Sequence, residues 1–351
     1  MKDLILVTGG TGFIGTHTTV ELMDAGYEVV IIDNLSNSIE KVLDGIKKIT
    51  GKKPLFEKLD LCDGNHLDDF FGHYPAVKAV IHFAAYKAVP ESVEQPLLYY
   101  ENNLTSLINL LKLMLKFKIS YFVFSSSCTV YGEPDELPVT EKAPFKESNS
   151  PYGNTKQISE EIINDIIMAN FPIKAISLRY FNPIGAHPSG YIGELPIGIP
   201  GNLVPFITQT AIGLHEELLV FGNDYNTPDG SCIRDYIDVV DLSKAHVKAI
   251  ERLLLKKYKS DYEIFNLGTG KGVSVFEMIK AFEQATNIKL KYKITHRRQG
   301  DVEQVWADTS YANKELGWEA ETSLADTLRS AWKWEQYYRK KISGKKKNPN
   351  Q

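Results

Sequence analysis

The chain has 351 residues, 43% of them hydrophobic and 24% charged, with a formal net charge of −4. This is ordinary globular composition, enough for one large domain or two of moderate size, and it lacks the basic footprint of a nucleic-acid binder. No run approaches the roughly 20 apolar residues of a membrane span, and the three cysteines Cys62, Cys128 and Cys232 stand far apart without CxxC spacing, which argues against a disulfide framework or a zinc site and fits a reducing cytoplasm.

"LILVT" (4–8) reads as a buried strand, followed by a Gly-rich turn and a helix to about Ala25. "EVVIID" (28–33) is a second strand, helix follows around 39–50, and "LFEK" (55–58) is a short third strand. "KAVIHFAA" (78–85) is another apolar run, and Tyr99 to Lys118 carries apolar positions at helical spacing. "YFVFSS" (121–126) is strand, 151–169 helix and "IKAISLRY" (173–180) strand again. Strand–helix alternation with continuous apolar strands predicts an α/β fold of Rossmann type, a doubly wound parallel sheet covered on both faces.

Beyond Arg179 the texture changes, and 182–202 hold many Gly and Pro. A helix near 203–213, a strand at 218–221, a Gly/Asp/Pro loop at 222–231, an amphipathic helix over 238–257 and a strand over 263–268 follow. The expectation is a nucleotide-binding domain, 1–181 plus about 237–268, and a smaller mixed α/β domain from 182–236 and 269–345. The opening "MKDLILVTGG" is too short an apolar run for a secretory signal, and the basic end "KKISGKKKNPNQ" reads as frayed and solvated.

Gly9, Gly12 and Gly15 stand three apart in "VTGGTGFIG", between the first strand and its helix. Gly permits the tight turn and close backbone approach that let a pyrophosphate sit on a helix N-terminus. Asp33 ends the second strand, where a carboxylate accepts from an adenosine ribose hydroxyl and repels a 2′-phosphate. With no Arg beside it, NAD is expected rather than NADP. The competing reading, an Asp that merely caps a strand end, does not account for glycines and acid in register.

The fifth strand ends in "SSSCTVYG", where ligands bind in open α/β sheets. Next comes "SPYGNTK": Ser150 suits an N-cap and Pro151 the first helical position, so Tyr152 and Lys156 share one face of a helix start. Such a pair is common on solvated helices. At this place in the fold, an ammonium together with a cationic nicotinamide would favour phenolate and fit the phenol for proton transfer.

Together these motifs, with "LRYFNPIGAHPSG" and "RDYIDVVDL", resemble the extended short-chain dehydrogenase/reductase family, and within it the UDP-glucose 4-epimerases, over about residues 3–340. The resemblance implies a UDP-sugar substrate, oxidation at C4 by a retained NAD, a 4-keto intermediate and re-reduction on its other face. It implies Ser127, Tyr152 and Lys156 as the catalytic set. It assigns the cofactor to Gly9, Gly12, Phe13, Ile14, Gly15, Asp33, Asn34, Asn37, Asp60, Leu61, Phe83, Ala84, Ala85, Lys87, Asn102 and Phe181, besides the catalytic three. For the substrate it implies Ser127, Tyr152, Asn182, Asn202, Leu203, Leu219, Val220, Phe221, Arg234, Tyr236, Arg298, Asp301 and Val305, with no metal. Leu219 to Phe221 would form a wall for uracil, the two Arg would carry the diphosphate charge, and Asp301 would accept from the uridine ribose. It also implies a cytoplasmic homodimer joined through two helices per subunit, with helix 99–118 offering an apolar face.

Two local features bear on subfamily. Related 4,6-dehydratases carry an acidic pair after the strand-five hydroxyl, whereas Cys128 and Thr129 stand here, which argues against dehydration. Val305 stands where similar epimerases carry a large Tyr before the Trp, leaving room for a 2-acetamido group, so UDP-GlcNAc and UDP-GalNAc join the expected substrates. The alternatives weighed are a UDP-uronate or UDP-pentose reaction through the same 4-keto chemistry, and an NAD-binding regulator. A regulator is expected to lack Tyr or Lys of the triad, and both are present.

Overall fold

The computed structural model describes residues 3–298 and 300–346. In chain order its elements are β1 (Leu4–Thr8), α1 (Phe13–Asp24), β2 (Glu28–Asp33), α2 (Val42–Thr50), β3 (Leu55–Lys58), α3 (Gly64–His73), β4 (Val77–His82), α4 (Val89–Glu94), α5 (Pro96–Lys116), β5 (Tyr121–Ser127), α6 (Pro151–Met168), β6 (Lys174–Tyr180), β7 (Asn182–Ile184), α7 (Leu203–Ala211), β8 (Leu218–Phe221), β9 (Ile233–Asp238), α8 (Val239–Leu254), β10 (Tyr262–Leu267), β11 (Gly272–Ser274), α9 (Val275–Thr286), β12 (Tyr292–Thr295), β13 (Gln304–Val305) and α10 (Leu324–Lys346). The basic stretch 340–346 continues α10 rather than fraying, and the expectation for 347–351 lies outside the described residues.

Seven strands form one parallel sheet in the order β10-β6-β5-β4-β1-β2-β3. Central strands such as "LILVT" are buried at every position because helices cover both faces of the sheet. On one face Ile5, Val7 and Ile31 join Val20 and Leu22 of α1 and Leu242 and Ile250 of α8 in one core; on the other Leu6, Val80 and Phe122 join Phe71 of α3, Leu107 and Leu110 of α5 and Ile163 of α6. Each fully buried Leu, Ile or Phe contributes roughly 1.5–3 kcal/mol over an exposed one. Helix α8 packs on this sheet, and β10 pairs β6 at its edge.

The order reverses between β1 and β4, so the carboxyl ends of these strands open a crevice at a topological switch point. The smaller unit holds α7, α9 and α10 around Ile207, Met278, Phe282 and Leu328, with a mixed sheet about β9 and a parallel pair, β8 and β12. A cluster of Val130, Tyr131, Val139, Phe181, Val305 and Ala307 joins β13 to the ends of β5 and β6, which brings the second unit onto the switch-point side of the sheet. No helix among the described residues is long and apolar enough to cross a membrane.

Candidate active site

Gly9 stands at φ +67°, and a Cβ there would lie 2.7 Å from the Ala84 nitrogen, so the first turn touches the end of β4 backbone to backbone. Gly12 is the N-cap of α1 and offers no side chain to cap the helix. No acidic residue sits in the helix's first turn, whose N–H groups have no partner within the helix, an arrangement that suits an anion. Asp33 accepts from the Thr11 N–H at 3.2 Å, the Leu35 N–H at 2.9 Å and the Ser38 hydroxyl at 3.1 Å, fixing the β2 end against the glycine loop. Asn34 donates to Asp60 at 3.0 Å, and Asp60 accepts from the Cys62 N–H at 2.9 Å. These residues fit a dinucleotide: a cradle only glycine permits, a free helix N-terminus, and a carboxylate at the adjoining strand end. Phe13, Ile14, Phe83, Ala84 and Ala85 stand half-buried around it, while Asn37 is exposed. The Leu61 side chain is buried among the α3 and α5 residues, which leaves its backbone for a ligand.

Ser127, Tyr152 and Lys156 meet where β5 and β6 end. Ser127 ends β5, paired with Tyr180 of β6. Its oxygen accepts from the Thr129 N–H at 3.2 Å, and Ser127 acts on the Tyr152 phenol from beside it. Ser150 caps α6 by accepting from the Gly153 N–H at 3.2 Å, and Pro151 opens the helix, which sets Tyr152 in its first turn. The Lys156 ammonium donates to the Ser125 carbonyl at 2.6 Å and lies 6.0 Å from the centre of the Tyr152 ring. The Ser125 hydroxyl in turn bonds the Tyr180 hydroxyl. Asn102 donates to Asn103 at 2.9 Å nearby, and Phe181 joins the cluster under Val305.

The electrostatics differ in one respect from the expectation. Burial, with Tyr180 beside it, pushes the Tyr152 phenol above its ordinary value, outweighing the opposing pull of Ser127. Burial also draws Lys156 down to about 8, against the pull of Glu160. The protein's own groups therefore hold the pair as phenol and ammonium at neutral pH, and a further positive charge at the phenol is needed to release its proton.

Across the crevice, Arg234 of β9 lies 3.9 Å from Asp301 and donates to the Ile233 carbonyl at 2.9 Å. An ion pair with its neighbour Asp235 does not form. Asp235 points away and accepts from the Thr269 N–H and hydroxyl, the Gly270 N–H and the Ala307 N–H. Arg298 donates to the Gly201 carbonyl at 3.1 Å, and both arginines draw down an Asp301 carboxyl that burial raises. Asn182 opens β7, and Asn202 caps the chain entering α7 at Leu203 while donating to Glu194 at 2.7 Å. Lys87 approaches the same carboxylate at 3.7 Å, so a predicted cofactor residue and a predicted substrate residue share one partner. In β8 the side chains alternate, with Leu219 and Phe221 outward and Val220 buried in the second unit's core beside Tyr236. Val220 therefore offers no side chain to a uracil. Val305 is buried against Phe181, with Cys128 packed on the same cluster.

Sequence reading missed a polar scaffold behind the site. Asn103 accepts from the Tyr86 N–H at 2.8 Å and donates to the Tyr86 carbonyl at 3.1 Å and Thr155 at 3.2 Å, locking the loop after β4 onto α6. Arg179 and Glu160 form a buried bidentate pair. Arg179 had a signal, since a charge in the apolar run "AISLRY" demands a buried partner. Among the described residues no group of three His, Cys, Asp or Glu is arranged to hold a metal.

The chain is 50% identical over 331 residues to the UDP-glucose 4-epimerase of Bacillus subtilis, covering 94% of this chain and 96% of that one. The chain belongs to the UDP-glucose 4-epimerase family. A family model described as GDP-mannose 4,6 dehydratase matches residues 6–331. The crystal structure of the Bifidobacterium longum epimerase in complex with NAD+ and UDP superposes with a TM-score of 0.92 at 45% identity, covering 96% of this chain and 99% of that chain. The UDP-Glc/GlcNAc 4-epimerase of Campylobacter jejuni gives a TM-score of 0.81 at 34% identity, covering 95% and 99%. Within this epimerase family the site's Cys128 and Thr129 make chemical sense, because neither is the acid that a dehydration would use.

Proposed function

We propose that the protein interconverts UDP-galactose and UDP-glucose by transient oxidation at C4 of the sugar, with NAD as its cofactor. The observation that carries this is Ser127, Tyr152 and Lys156 converging at the strand ends beside a dinucleotide cradle, with Arg234, Arg298 and Asp301 facing them. NAD held in this cradle would supply reversible hydride acceptance at C4.

Tyr152 takes the proton of the 4′-hydroxyl and returns it when the 4-keto sugar has turned over. Ser127, braced by the Thr129 N–H, hydrogen-bonds the same oxygen. Lys156, tethered to the Ser125 carbonyl, holds ribose hydroxyls and supplies positive charge beside the phenol. Gly9, Gly12, Phe13, Ile14, Gly15, Asp33, Asn34, Ala84, Ala85 and Lys87 hold the dinucleotide. Arg234 and Arg298 take the diphosphate, for which the planar guanidinium fork is suited. Asp301 accepts from the uridine ribose, and Leu219 and Phe221 offer their side chains to the base. Substrate loading thus exchanges the Asp301–arginine contacts for phosphate contacts.

The buried, small Val305 favours acceptance of UDP-GlcNAc and UDP-GalNAc as well. Domain limits of 1–181 with 237–268, and 182–236 with 269–345, are supported by the return of α8 and β10 to the large sheet. A cytoplasmic placement draws on three free cysteines. A homodimer draws on Leu97 and Ile108 of α5 and Met168 at the end of α6, which are exposed, although much of the α5 apolar face is spent within its own core.

The test puts UDP-galactose and UDP-GalNAc with purified protein and no added cofactor, following the anomeric protons by NMR. UDP-glucose appearing establishes 4-epimerisation with retained NAD. No change in either sugar, with or without added NAD, overturns the reading and brings UDP-uronates and UDP-pentoses forward.

A further inference from the structure

Behind Lys156 lies a charged pair that the reaction, as drawn above, does not use. Glu160 stands one helical turn beyond Lys156 on α6 and is almost fully buried. Its carboxylate accepts from the Ser126 hydroxyl at 2.5 Å, from Arg179 Nε at 3.0 and 3.2 Å and from Arg179 Nη2 at 2.6 Å. Arg179, equally buried on β6, also donates to the Tyr131 hydroxyl at 3.0 Å, and Tyr131 donates to Asn266 of β10 at 2.6 Å. One carboxylate thus gathers α6 and the ends of β5 and β6, with β10 linked through Tyr131. As a stabilising device this is poor, because a buried ion pair is often matched by apolar residues of similar volume. Its position suggests another use. Ser126 is the neighbour of Ser127, and Lys156 is the neighbour of Glu160 along the helix face.

We propose that Glu160 is a positioning residue for the Tyr152–Lys156 pair: anchored by Arg179, its carboxylate keeps the buried Lys156 side chain an ammonium and, through Ser126, fixes the strand end that carries Ser127. This rests on the epimerase reading of the site.

The surroundings of Lys156 support it. From β5 come the Ser125 carbonyl and the Phe124 ring, the latter 4.8 Å away. Tyr152 faces it from its own helix, and Tyr180 of β6 reaches it through Ser125. His82, at the end of β4, is held neutral by burial and by Lys156 itself, with its pKa near 3. None of these groups is an anion. Burial draws Lys156 down, and Glu160 opposes it. With the Glu160 charge removed, Lys156 would face both burial and an uncompensated Arg179 cation.

The test is a titration of the cofactor-loaded protein with lysine labelled at Cε, read by carbon NMR, with the Lys156 signal assigned by its loss in Lys156→Met. Glu160→Gln is expected to lower the Lys156 midpoint by about one pH unit, and Glu161→Gln, an exposed neighbour, to leave it in place. The pH profile of sugar-driven nicotinamide reduction is expected to move in the same direction. A folded Glu160→Gln protein with an unchanged or raised midpoint overturns the proposal. If that variant does not fold, Glu160→Gln with Arg179→Met removes both charges, and the midpoint is expected to fall by less. An unchanged midpoint there overturns the proposal equally. The titration needs no sugar, so a shifted midpoint in a protein that never reduces its nicotinamide with UDP-galactose refutes the epimerase reading alone.

Discussion

Gly15→Ala is expected to cost the protein its cofactor. A Cβ at Gly15 would stand 2.4 Å from the Gly9 carbonyl oxygen and 2.8 Å from the Gly10 Cα, and both are backbone atoms. Restoring ordinary contact moves α1 or the glycine loop by about 1 Å. The loop has little room, because the Gly9 carbonyl also accepts from the Gly12 N–H at 3.0 Å and Ile31 lies against Gly10. Nor is α1 free to retreat, because Val20 and Leu22 are fully buried in a core shared with α8. Overpacking of this kind costs about 1–3 kcal/mol. Placed on the dinucleotide cradle, that is about 5- to 150-fold weaker NAD retention. Gly72→Ala is the control: no atom lies within 4 Å of its Cβ and it sits in α3, so a gain of about 0.5–1 kcal/mol is expected. The assay is the NAD content of the purified variants with their melting temperatures. A Gly15→Ala protein that keeps its NAD and melts like Gly72→Ala would refute the reasoning.

Tyr152→Phe removes the proposed proton acceptor and is expected to slow epimerisation by about 10²- to 10⁴-fold with NAD content unchanged, as turnover and denatured-protein absorbance will report. Val305→Tyr must either overpack the cluster with Phe181 or turn its ring into the cleft, so it is expected to abolish UDP-GalNAc conversion and spare UDP-galactose; loss of both activities, or of neither, sinks the pocket argument. Burial raises the Asp238 carboxyl from 3.8 to about 6. The folded state therefore binds the proton more tightly than the unfolded one, and stability falls as pH rises through about 4 to 6. Above pH 6 the ionised Asp238 costs on the order of 3 kcal/mol at about 1.4 kcal/mol per unit. Asp238→Asn can still accept the Val240 N–H that caps α8, so it is expected to gain up to that amount at pH 8 and almost nothing below pH 4 in urea unfolding. An equal or less stable variant at pH 8 contradicts the sign.

The large sheet was legible because its signals are local. Five-to-seven-residue apolar runs alternate with helical periods, and the glycine turn and the "SP" helix start each carry their own backbone chemistry. The second unit was harder. Its strands β7, β11 and β13 have two or three residues each and exist through pairing with β9, which no local pattern announces. Helix α9 did carry a local mark, the Ser274–Glu277 capping box, as did α3 with Asp63 accepting from the His66 N–H. The candidate site shows the same division. Tyr152 and Lys156 follow from helix spacing, but the pairing of Arg234 with Asp301 instead of Asp235 depends on which face of β9 each residue takes. Adjacent strand residues point to opposite faces, so Asp235 turns to the Thr269 loop while Arg234 looks across at Asp301.

The groups that would act on a sugar are held away from their ordinary protonation. Burial raises Tyr152 and Asp301 and lowers Lys156 and His82. A site left this way resists premature chemistry: the phenol keeps its proton, and His82 cannot compete for a role as a cation. What shifts the balance is charge arriving with the ligands. A cation beside Tyr152 favours phenolate, and a diphosphate bound at Arg234 and Arg298, as proposed, would replace their contacts with Asp301. The same burial that makes the site inert before its ligands arrive makes it responsive, because each unit of charge counts for more where water is excluded.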